Sequence, residues 1–371
     1  MPEAERSRST APQAASKAAD PRPLEAAVPV PMTEAPKTVA LIHNLGDPGE
    51  EEGAAECEVV DIADGVQEIL ERAGRRVVRR ALSPPLSAAA AVLEALPAGT
   101  PVFNLFEGFP GDPASEVQVA LLLRSLGLRP TGCPPLSLHL GLHKDEAKRI
   151  LREAGLLVVG GGLCRSCADA GAFLPSAFPL FLKPAASDAS HGIDAGNLVR
   201  DAGALQKRLR EMLDRFPGGV LVEPFLPGRE FNCSAVEVSG DWVALPPSLV
   251  DYSGLDPELP PVLTFEAKWA TESEVFVKTP TVCPAPVEAR VVEAVRSATR
   301  RAVAALRCRG YARADFREDS EGRLHLLEVN PNPGLAADAG MAKQARAMGW
   351  TYDALVLAIL EAAEGGDPWT C

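Results

Sequence analysis

Two segments decide how this chain folds: Tyr311-Ala-Arg-Ala-Asp-Phe316 and Leu326-Leu-Glu-Val-Asn-Pro-Asn-Pro-Gly334. Between them lies Asp319-Ser-Glu-Gly322, which has the composition of a tight turn. Apolar residues alternate with polar ones on either side of this turn, so the sequence predicts a β-hairpin. The polar residues are unusual for a strand pair with such apolar flanks, and they are the first candidates for a functional site.

Side chains of a strand alternate between its two faces, so Arg313 and Asp315 share one face of the first strand. Glu328 and Asn330 share one face of the second strand by the same rule. A turn centred directly after Ser320 places Arg313 opposite Glu328. The hairpin is therefore predicted to bring one cation, two carboxylates and one amide together.

Such a cluster has two interpretations. On a solvated sheet face, Arg313 and Glu328 would form an ordinary surface salt bridge of little energetic value. The apolar neighbours Phe316 and Val329 instead favour a buried hairpin, and buried carboxylates need compensating charge. Magnesium would supply it, with oxygen ligands from the two acids and the amide and with nucleotide phosphates completing the shell.

Upstream segments add candidate nucleotide contacts. Lys183 ends an apolar strand and precedes the small-residue loop Pro184-Ala-Ala-Ser-Asp-Ala-Ser-His-Gly192, whose backbone N–H groups could face phosphate. In Val220-Leu-Val-Glu-Pro-Phe-Leu-Pro-Gly-Arg-Glu-Phe231, Glu223 could accept a hydrogen bond from an exocyclic amine and Glu230 from ribose hydroxyls. The alternatives are a plain turn of small residues and two surface glutamates.

The rest of the chain predicts two architectures. From Thr38 short apolar strands alternate with helices, which is typical of a parallel α/β unit. Beyond residue 180 the pattern changes to antiparallel strand pairs, interrupted by a Pro-rich stretch over 246–286 that has little periodicity. The first 36 residues are rich in Ala and Pro and lack aromatic residues, so they are expected to be disordered.

Composition excludes several classes of protein. Of the 371 residues, 37 are Lys or Arg and 50 are Asp or Glu, and the net charge of −13 opposes nonspecific binding to nucleic acid or anionic membranes. No run approaches the roughly 18 consecutive apolar residues of a spanning helix, and no secretory signal is evident. The eight cysteines are scattered and the five histidines lack metal-ligand spacing. We therefore expect a cytoplasmic protein.

The order and spacing of these motifs resemble the D-alanine–D-alanine ligase family of the ATP-grasp superfamily over roughly residues 38–363. The most specific pieces are Val222–Phe231, Glu266-Ala-Lys-Trp269, Ala312–Phe316 and Glu328–Gly334. The resemblance implies an ATP-grasp fold with an N-terminal parallel α/β domain and two antiparallel α+β subdomains that enclose ATP. The implied divisions are a disordered tail (1–37), a substrate domain (38–143), a central subdomain (144–229) and a C-terminal subdomain (230–364).

The resemblance also implies a role for each matching residue. ATP would be held by Lys144, Lys183, Ser190, Glu223, Leu226 and Glu230. Mg²⁺ or Mn²⁺ would be held by Asp315, Glu328 and Asn330. Catalysis would fall to Lys268, which would reach the γ-phosphate from a lid over 246–286, and to Arg313 and the backbone of Gly334, which would stabilise an acyl phosphate and the tetrahedral intermediate after it.

Where the chain departs from the family pattern, most changes fall on the amino-acid side. Trp269 stands where members with D-alanine specificity have tyrosine, and the Leu335–Gly340 segment lacks the usual serine. Acids occur instead: Asp338 would suit a cationic amine, and Glu107, Asp112 or Glu116 could bind an ammonium group. The alternative is that these acids are simply solvated.

The leading hypothesis is an ATP-dependent carboxylate–amine ligase that acts on small amino-acid or amine substrates through an acyl phosphate and releases ADP and phosphate. D-Alanyl-D-alanine synthesis is one such reaction, and an L-amino-acid or natural-product peptide ligase is the nearest alternative. A non-catalytic ATP-binding protein and an unrelated α/β protein are the alternatives from other classes. No nucleic-acid or membrane partner is expected, and the resemblance leaves room for a homodimer.

Overall fold

The computed structural model describes residues 37–45, 53–173, 178–186, 191–270, 272–365 and Trp369, without the side chains of residues 53–58 and Trp269. The predicted disordered tail therefore lies almost wholly outside the described residues, as do Ser190 and the side chain of Trp269. Three sheets organise the described residues, with four, four and six strands. No described helix has the length and apolar character needed to cross a bilayer.

The first sheet is parallel and has the strand order β2-β1-β3-β4. Its strands are β1 (Thr38–Asn44), β2 (Arg76–Leu82), β3 (Pro101–Leu105) and β4 (Arg129–Pro130), and its helices are α1 (Gly53–Arg72), α2 (Leu86–Glu94) and α3 (Ala114–Ser125). Val39 to Ile42 are fully buried. A strand covered by helices on both faces reads as a continuous apolar run, which is why the sequence predicts this unit.

The second sheet is antiparallel and has the order β5-β8-β6-β7. Its strands are β5 (Gly162–Cys164), β6 (Leu180–Pro184), β7 (Leu198–Val199) and β8 (Val220–Pro224), with α6 (Ala202–Arg215) packed on one face. Two helices precede it in the chain, α4 (Pro135–Leu142) and α5 (Lys144–Glu153). Asp201 begins α6 by accepting a hydrogen bond from the backbone N–H of Ala204 at 2.8 Å.

The third sheet is antiparallel, with the path β12-β11-β9-β13-β14 and β10 paired to β9. Its strands are β9 (Glu230–Val238), β10 (Asp241–Ala244), β11 (Ser248–Val250), β12 (Thr281–Val282), β13 (Tyr311–Glu318) and β14 (Leu324–Pro331). Its helices are α7 (Phe265–Trp269), α8 (Glu274–Lys278), α9 (Ala289–Ala305), α10 (Gly340–Ala347) and α11 (Tyr352–Glu364). The Pro-rich stretch over 246–286 thus contains two short strands and two short helices.

The β13–β14 hairpin has a different register from the predicted one. Arg313 pairs with Asn330 and Asp315 pairs with Glu328, so the prediction that Arg313 lies opposite Glu328 was wrong. The true pairing is shifted by two residues in total. Because a one-residue slip exchanges the faces of a strand and a two-residue slip does not, the four side chains remain on one face.

Two local features produce this shift. Asp319 accepts hydrogen bonds from the backbone N–H groups of Glu321 and Arg323, both at 2.9 Å. These bonds centre the turn on Glu321, whereas the predicted centre lies between Ser320 and Glu321. A β-bulge follows Asp315 and leaves Leu327 without a partner in the ladder. Neither the turn centre nor the bulge is specified by alternation alone.

Candidate active site

Arg313, Asp315 and Asn330 form one hydrogen-bonded cluster on a half-buried face of the hairpin. The Arg313 guanidinium donates two hydrogen bonds to Asp315, from Nε to Oδ1 at 2.8 Å and from Nη2 to Oδ2 at 2.9 Å. The Asn330 amide donates to the same Oδ2 atom at 2.8 Å. This bidentate geometry is the strongest form of an arginine–carboxylate pair.

Glu328 lies across the ladder from Asp315 and faces a concentration of positive charge. Its carboxylate is 3.9 Å from the Lys144 ammonium, which projects from the first turn of α5. Burial alone would raise the pKa of Glu328, but the positive charges of Lys144, Lys183, Lys268 and Arg313 lower it to about 2. The carboxylate is therefore ionised at neutral pH and sits in a field that attracts anions.

Lys183 and Glu223 occupy neighbouring strands of the second sheet. Lys183 pairs with Leu221 in the β6–β8 ladder, so Glu223 is its diagonal neighbour on the same face, and their charged atoms lie 3.1 Å apart. The other carboxylate oxygen of Glu223 accepts a hydrogen bond from Lys148, a residue that sequence reasoning missed. Burial raises the pKa of Glu223, but the two lysines outweigh that effect and lower it.

Lys148 could have been found from its spacing. It follows Lys144 by four residues, so the two lysines lie on one face of α5, the face that also carries buried Ala147 and Leu151. Lysines are rarely found on the buried face of a helix unless they are paired. Two lysines on the buried face of α5 indicate that acidic side chains lie in the interior beside this helix.

Glu230 is held from two sides on the third sheet. Arg317 faces it across the β9–β13 ladder and donates to Oε2 at 2.7 Å, and the Tyr252 hydroxyl donates to the same oxygen at 2.9 Å. Among the described residues no hydrogen bond reaches Oε1, which leaves that atom available to a hydroxyl donor. Burial raises the pKa of Glu230, and Arg317 only partly offsets that rise.

Arg317 is the second residue that sequence reasoning missed, although strand alternation places it on the face of Arg313 and Asp315. Its guanidinium lies 4.7 Å from the ring centre of Phe225, in the connector between β8 and β9. Leu226, the next connector residue, is buried. The connector thus provides an apolar surface beside two carboxylates, which suits a planar heterocycle.

Lys268 adds another positive charge that acts on the carboxylates of this face. It lies on α7, which begins at Thr264, whose hydroxyl accepts a hydrogen bond from the backbone N–H of Ala267 at 3.1 Å. Phe265 anchors the helix by donating its backbone N–H to Ile193 at 3.0 Å. The positive charge of Lys268 helps to lower the pKa of Glu328.

The loop after β14 and the first sheet bound the remaining side of the site. Asn332 donates a hydrogen bond to Glu116 at 3.3 Å, and its own amide oxygen accepts from the backbone N–H of Cys133 at 2.7 Å. Gly334, in the same loop, is exposed, as are Asp112 and Asp338. The Tyr352 hydroxyl, which donates to the Leu335 carbonyl at 2.6 Å, fixes the loop against α11.

Glu107 is positioned by Asn44, a buried residue at the end of β1. The Asn44 amide oxygen accepts from the Glu107 backbone N–H at 3.0 Å, and the Asn44 amide nitrogen donates to the Gly108 carbonyl. Glu107 lines a small cavity together with Tyr311 and Asn332. Tyr311 lies two residues before Arg313 on the same face of β13. The cavity therefore lies next to the polar face of the hairpin, on the side of the first sheet.

The oxygen donors of the hairpin suit a hard divalent cation. Asp315 and Glu328 offer carboxylate oxygens and Asn330 offers an amide oxygen, which are the ligands that Mg²⁺ prefers. Three such residues do not fill an octahedral shell, so phosphate or water must supply the rest. Within the described ranges, no group of three or more His, Cys, Asp and Glu side chains forms an all-protein metal centre.

Comparison with known proteins agrees with this geometry. The family model described as D-ala D-ala ligase C-terminus matches residues 172–361. A D-alanine–D-alanine ligase of Oleidesulfovibrio alaskensis is 31% identical over 299 residues, which cover 81% of this chain and 89% of the relative.

Two solved structures share the fold. The D-alanine–D-alanine ligase of Bacillus anthracis in complex with ATP has a TM-score of 0.64 at 19% identity and covers 88% of this chain and 97% of its own. The VanG D-Ala:D-Ser ligase of Enterococcus faecalis has a TM-score of 0.68 at 18% identity, with 88% and 99% covered.

The three sheets and the charged face between them define an ATP-grasp enzyme, an ATP-dependent ligase that joins a carboxylate to an amine through a new C–N bond. The match over half of the chain and the sequence identity to the curated ligases make the assignment more specific. The chain belongs to the D-alanine–D-alanine ligase family.

Gly161 offers a test of how tightly the Glu223 region is packed. An added Cβ would lie 2.2 Å from the Val222 carbonyl oxygen and 3.0 Å from Glu223 Cα, and the backbone φ of +117° disfavours any other residue. Gly161→Ala should lower the free energy of unfolding by about 3 kcal/mol. Gly160→Ala is the control, because its Cβ would meet nothing within 4 Å. Urea denaturation of both variants checks this, and equal stabilities would contradict it.

Proposed function

We propose that the chain forms an amide bond between two amino acids, or between an amino acid and an amine, through an acyl phosphate. The observation that supports this most directly is the position of Glu328, whose carboxylate lies 3.9 Å from the Lys144 ammonium on the face that also carries the Arg313–Asp315 pair. A carboxylate becomes a good electrophile only after phosphorylation, and transfer of a phosphoryl group requires concentrated positive charge around its oxygens.

Within this proposal the nucleotide lies across the second and third sheets. Lys144 and Lys183 bind its phosphates, and Ser190 contributes from the small-residue loop. Glu223 accepts from the adenine amine, Leu226 packs against the base, and the unused Oε1 atom of Glu230 accepts from a ribose hydroxyl. The occupation of Oε2 by Tyr252 and Arg317, which leaves Oε1 for a further donor, and the apolar connector support the placement of the ribose and the base.

Asp315, Glu328 and Asn330 would hold Mg²⁺, or Mn²⁺ in its place, which when bound neutralises phosphate oxygens. Arg313 and the Gly334 backbone then face the acyl phosphate and donate to the oxyanion that forms when the amine attacks. The bidentate link to Asp315 fixes the orientation of the Arg313 guanidinium, so little reorganisation is needed as charge develops.

We define the segment 251–280, between β11 and β12, as the lid. Acyl phosphates react with water, so a loaded site must be closed. Lys268 would close it by binding the γ-phosphate from above. We further propose that residues 38–143 form the substrate domain, residues 144–229 the central subdomain and residues 230–364 the C-terminal subdomain, and that the enzyme works in the cytoplasm, where ATP is available.

D-Alanine is the first candidate substrate, because the curated relatives carry that name. Phosphate release should be measured with full-length protein, Mg²⁺ and ATP against D- and L-amino acids and small amines. We expect release that requires an amino acid and yields one amide bond per phosphate. ATP binding with no amino-acid-dependent release by any pair would favour a non-catalytic nucleotide-binding protein.

Lys268→Ala tests the lid. Loss of its charge should reduce turnover at least 100-fold, because the γ-phosphate loses a contact that strengthens as charge develops. ATP affinity should fall less than tenfold, since the other phosphate contacts remain. Lys278→Ala is the matched control, because Lys278 lies on α8 of the same lid and pairs with Glu274 away from the hairpin. Unchanged turnover in Lys268→Ala would remove the lid from the mechanism.

Glu107→Gln tests the amino-acid side. If the Glu107 carboxylate binds the substrate ammonium, its removal should raise the KM for the amino acid about tenfold and leave the KM for ATP unchanged. Glu94→Gln, an exposed acid at the end of α2, is the control. Steady-state kinetics with each substrate varied in turn gives the two KM values. An equal rise in both KM values would contradict a direct role in substrate binding.

A further inference from the structure

Lys148 is the most deeply placed cation near the candidate nucleotide site. Its residue exposure is 3%, the same as that of Glu223, whereas Lys183 and Lys144 are exposed by 6% and 8%. Its ammonium donates to Oε1 of Glu223, and Lys183 approaches Oε2 at 3.1 Å. Lys148 therefore contacts Glu223, and its effect on the nucleotide site depends on that carboxylate.

The charges around Glu223 do not cancel. Lys148 and Lys183 carry two positive charges against the single negative charge of Glu223, which leaves one net positive charge. Beside them, Lys144 and Glu328 form a balanced pair. If Lys148 were neutral, Glu223 and Lys183 would compensate each other, and the charge of Lys183 would no longer be available to an anion.

We propose that Lys148 is a positioning residue for the triphosphate: by neutralising Glu223, it leaves the charge of Lys183 available to phosphate. This inference rests on the proposed function, because it assumes that Lys183 binds the phosphates of ATP. It assigns Lys148 no contact with the nucleotide. The two lysines bind different oxygens of Glu223, Lys148 at Oε1 and Lys183 at Oε2, and this arrangement gives Lys148 its indirect role.

The protonation of Lys148 depends on its partner. Burial lowers the pKa of Lys148 to about 8, and the attraction of Glu223 opposes a further fall. The other charged groups that act on it are Lys183, which lowers this pKa, and Glu328, which raises it. Loss of Glu223 should therefore lower the pKa of Lys148 further, so that Lys148 carries less charge at pH 7 and has less influence on the phosphate site.

The test measures binding of ATP, ADP and adenosine to the full-length protein by calorimetry with Mg²⁺ at pH 7. In Lys148→Met the affinities for ATP and ADP should fall at least tenfold, and the affinity for adenosine, which carries no phosphate, should fall by a much smaller factor. Arg149→Met is the matched control, because it removes a cation from the exposed face of the same helix. Its nucleotide affinities should equal those of the wild type.

A double variant keeps the test decisive if Lys148→Met fails to fold. Lys148→Met/Glu223→Gln removes both charges and so leaves no unpaired ion in the interior. It should bind ATP within twofold of Glu223→Gln, because Lys148 acts only through Glu223. A further tenfold loss in the double variant would mean that Lys148 itself contacts phosphate, and the inference would be wrong.

The pH dependence gives a second readout. In the wild type, ATP affinity should fall as pH rises through about 8, because Lys148 loses the proton that neutralises Glu223. In the double variant this fall should be absent. A wild type that does not bind ATP would refute the proposed function, whereas a wild type that binds ATP and a folded Lys148→Met variant with unchanged affinity would refute only this inference.

Discussion

The structure depends on the compensation of buried carboxylates by cations that come from distant parts of the chain. Glu328 and Glu223 stay ionised inside the protein because Lys144, Lys148 and Lys183 surround them. Burial would otherwise protonate both acids or destabilise the fold. Such an arrangement is costly for a protein that needs only stability, since apolar residues of similar size usually do as well. Its presence supports the proposal that the charges serve binding.

Each architectural unit contributes one part of this arrangement. Helix α5 carries two lysines on one face, the second sheet places Lys183 and Glu223 on adjacent strands, and the β13–β14 hairpin presents the acids and Arg313. The β13–β14 hairpin also packs through the core shared with α9 and α5, which fixes the distance between the lysines and Glu328. The segment between β11 and β12 carries Lys268 on α7. The fold therefore brings the charges together from helices and strands.

Much of this could be predicted from sequence, and the exceptions have physical causes. Alternation put Arg313 and Asp315 on one face, because a strand has a strict period of two. It gave the wrong cross-strand partner, because the turn around Asp319 and the bulge before Phe316 depend on hydrogen bonds that alternation does not encode. Lys148 was missed because its partner Glu223 lies 75 residues away in the chain.

If the hairpin acids hold a divalent ion against the phosphates of ATP, nucleotide binding must depend on both the ion and the Glu328 carboxylate. This can be measured by calorimetric titration of ATP into the full-length wild type and Glu328→Gln, first with Mg²⁺ and then with EDTA. Removal of Mg²⁺ should weaken ATP binding at least tenfold in the wild type and should have little effect in the variant. ATP affinity that is independent of Mg²⁺, or a Mg²⁺ dependence that survives loss of the Glu328 carboxylate, would contradict it.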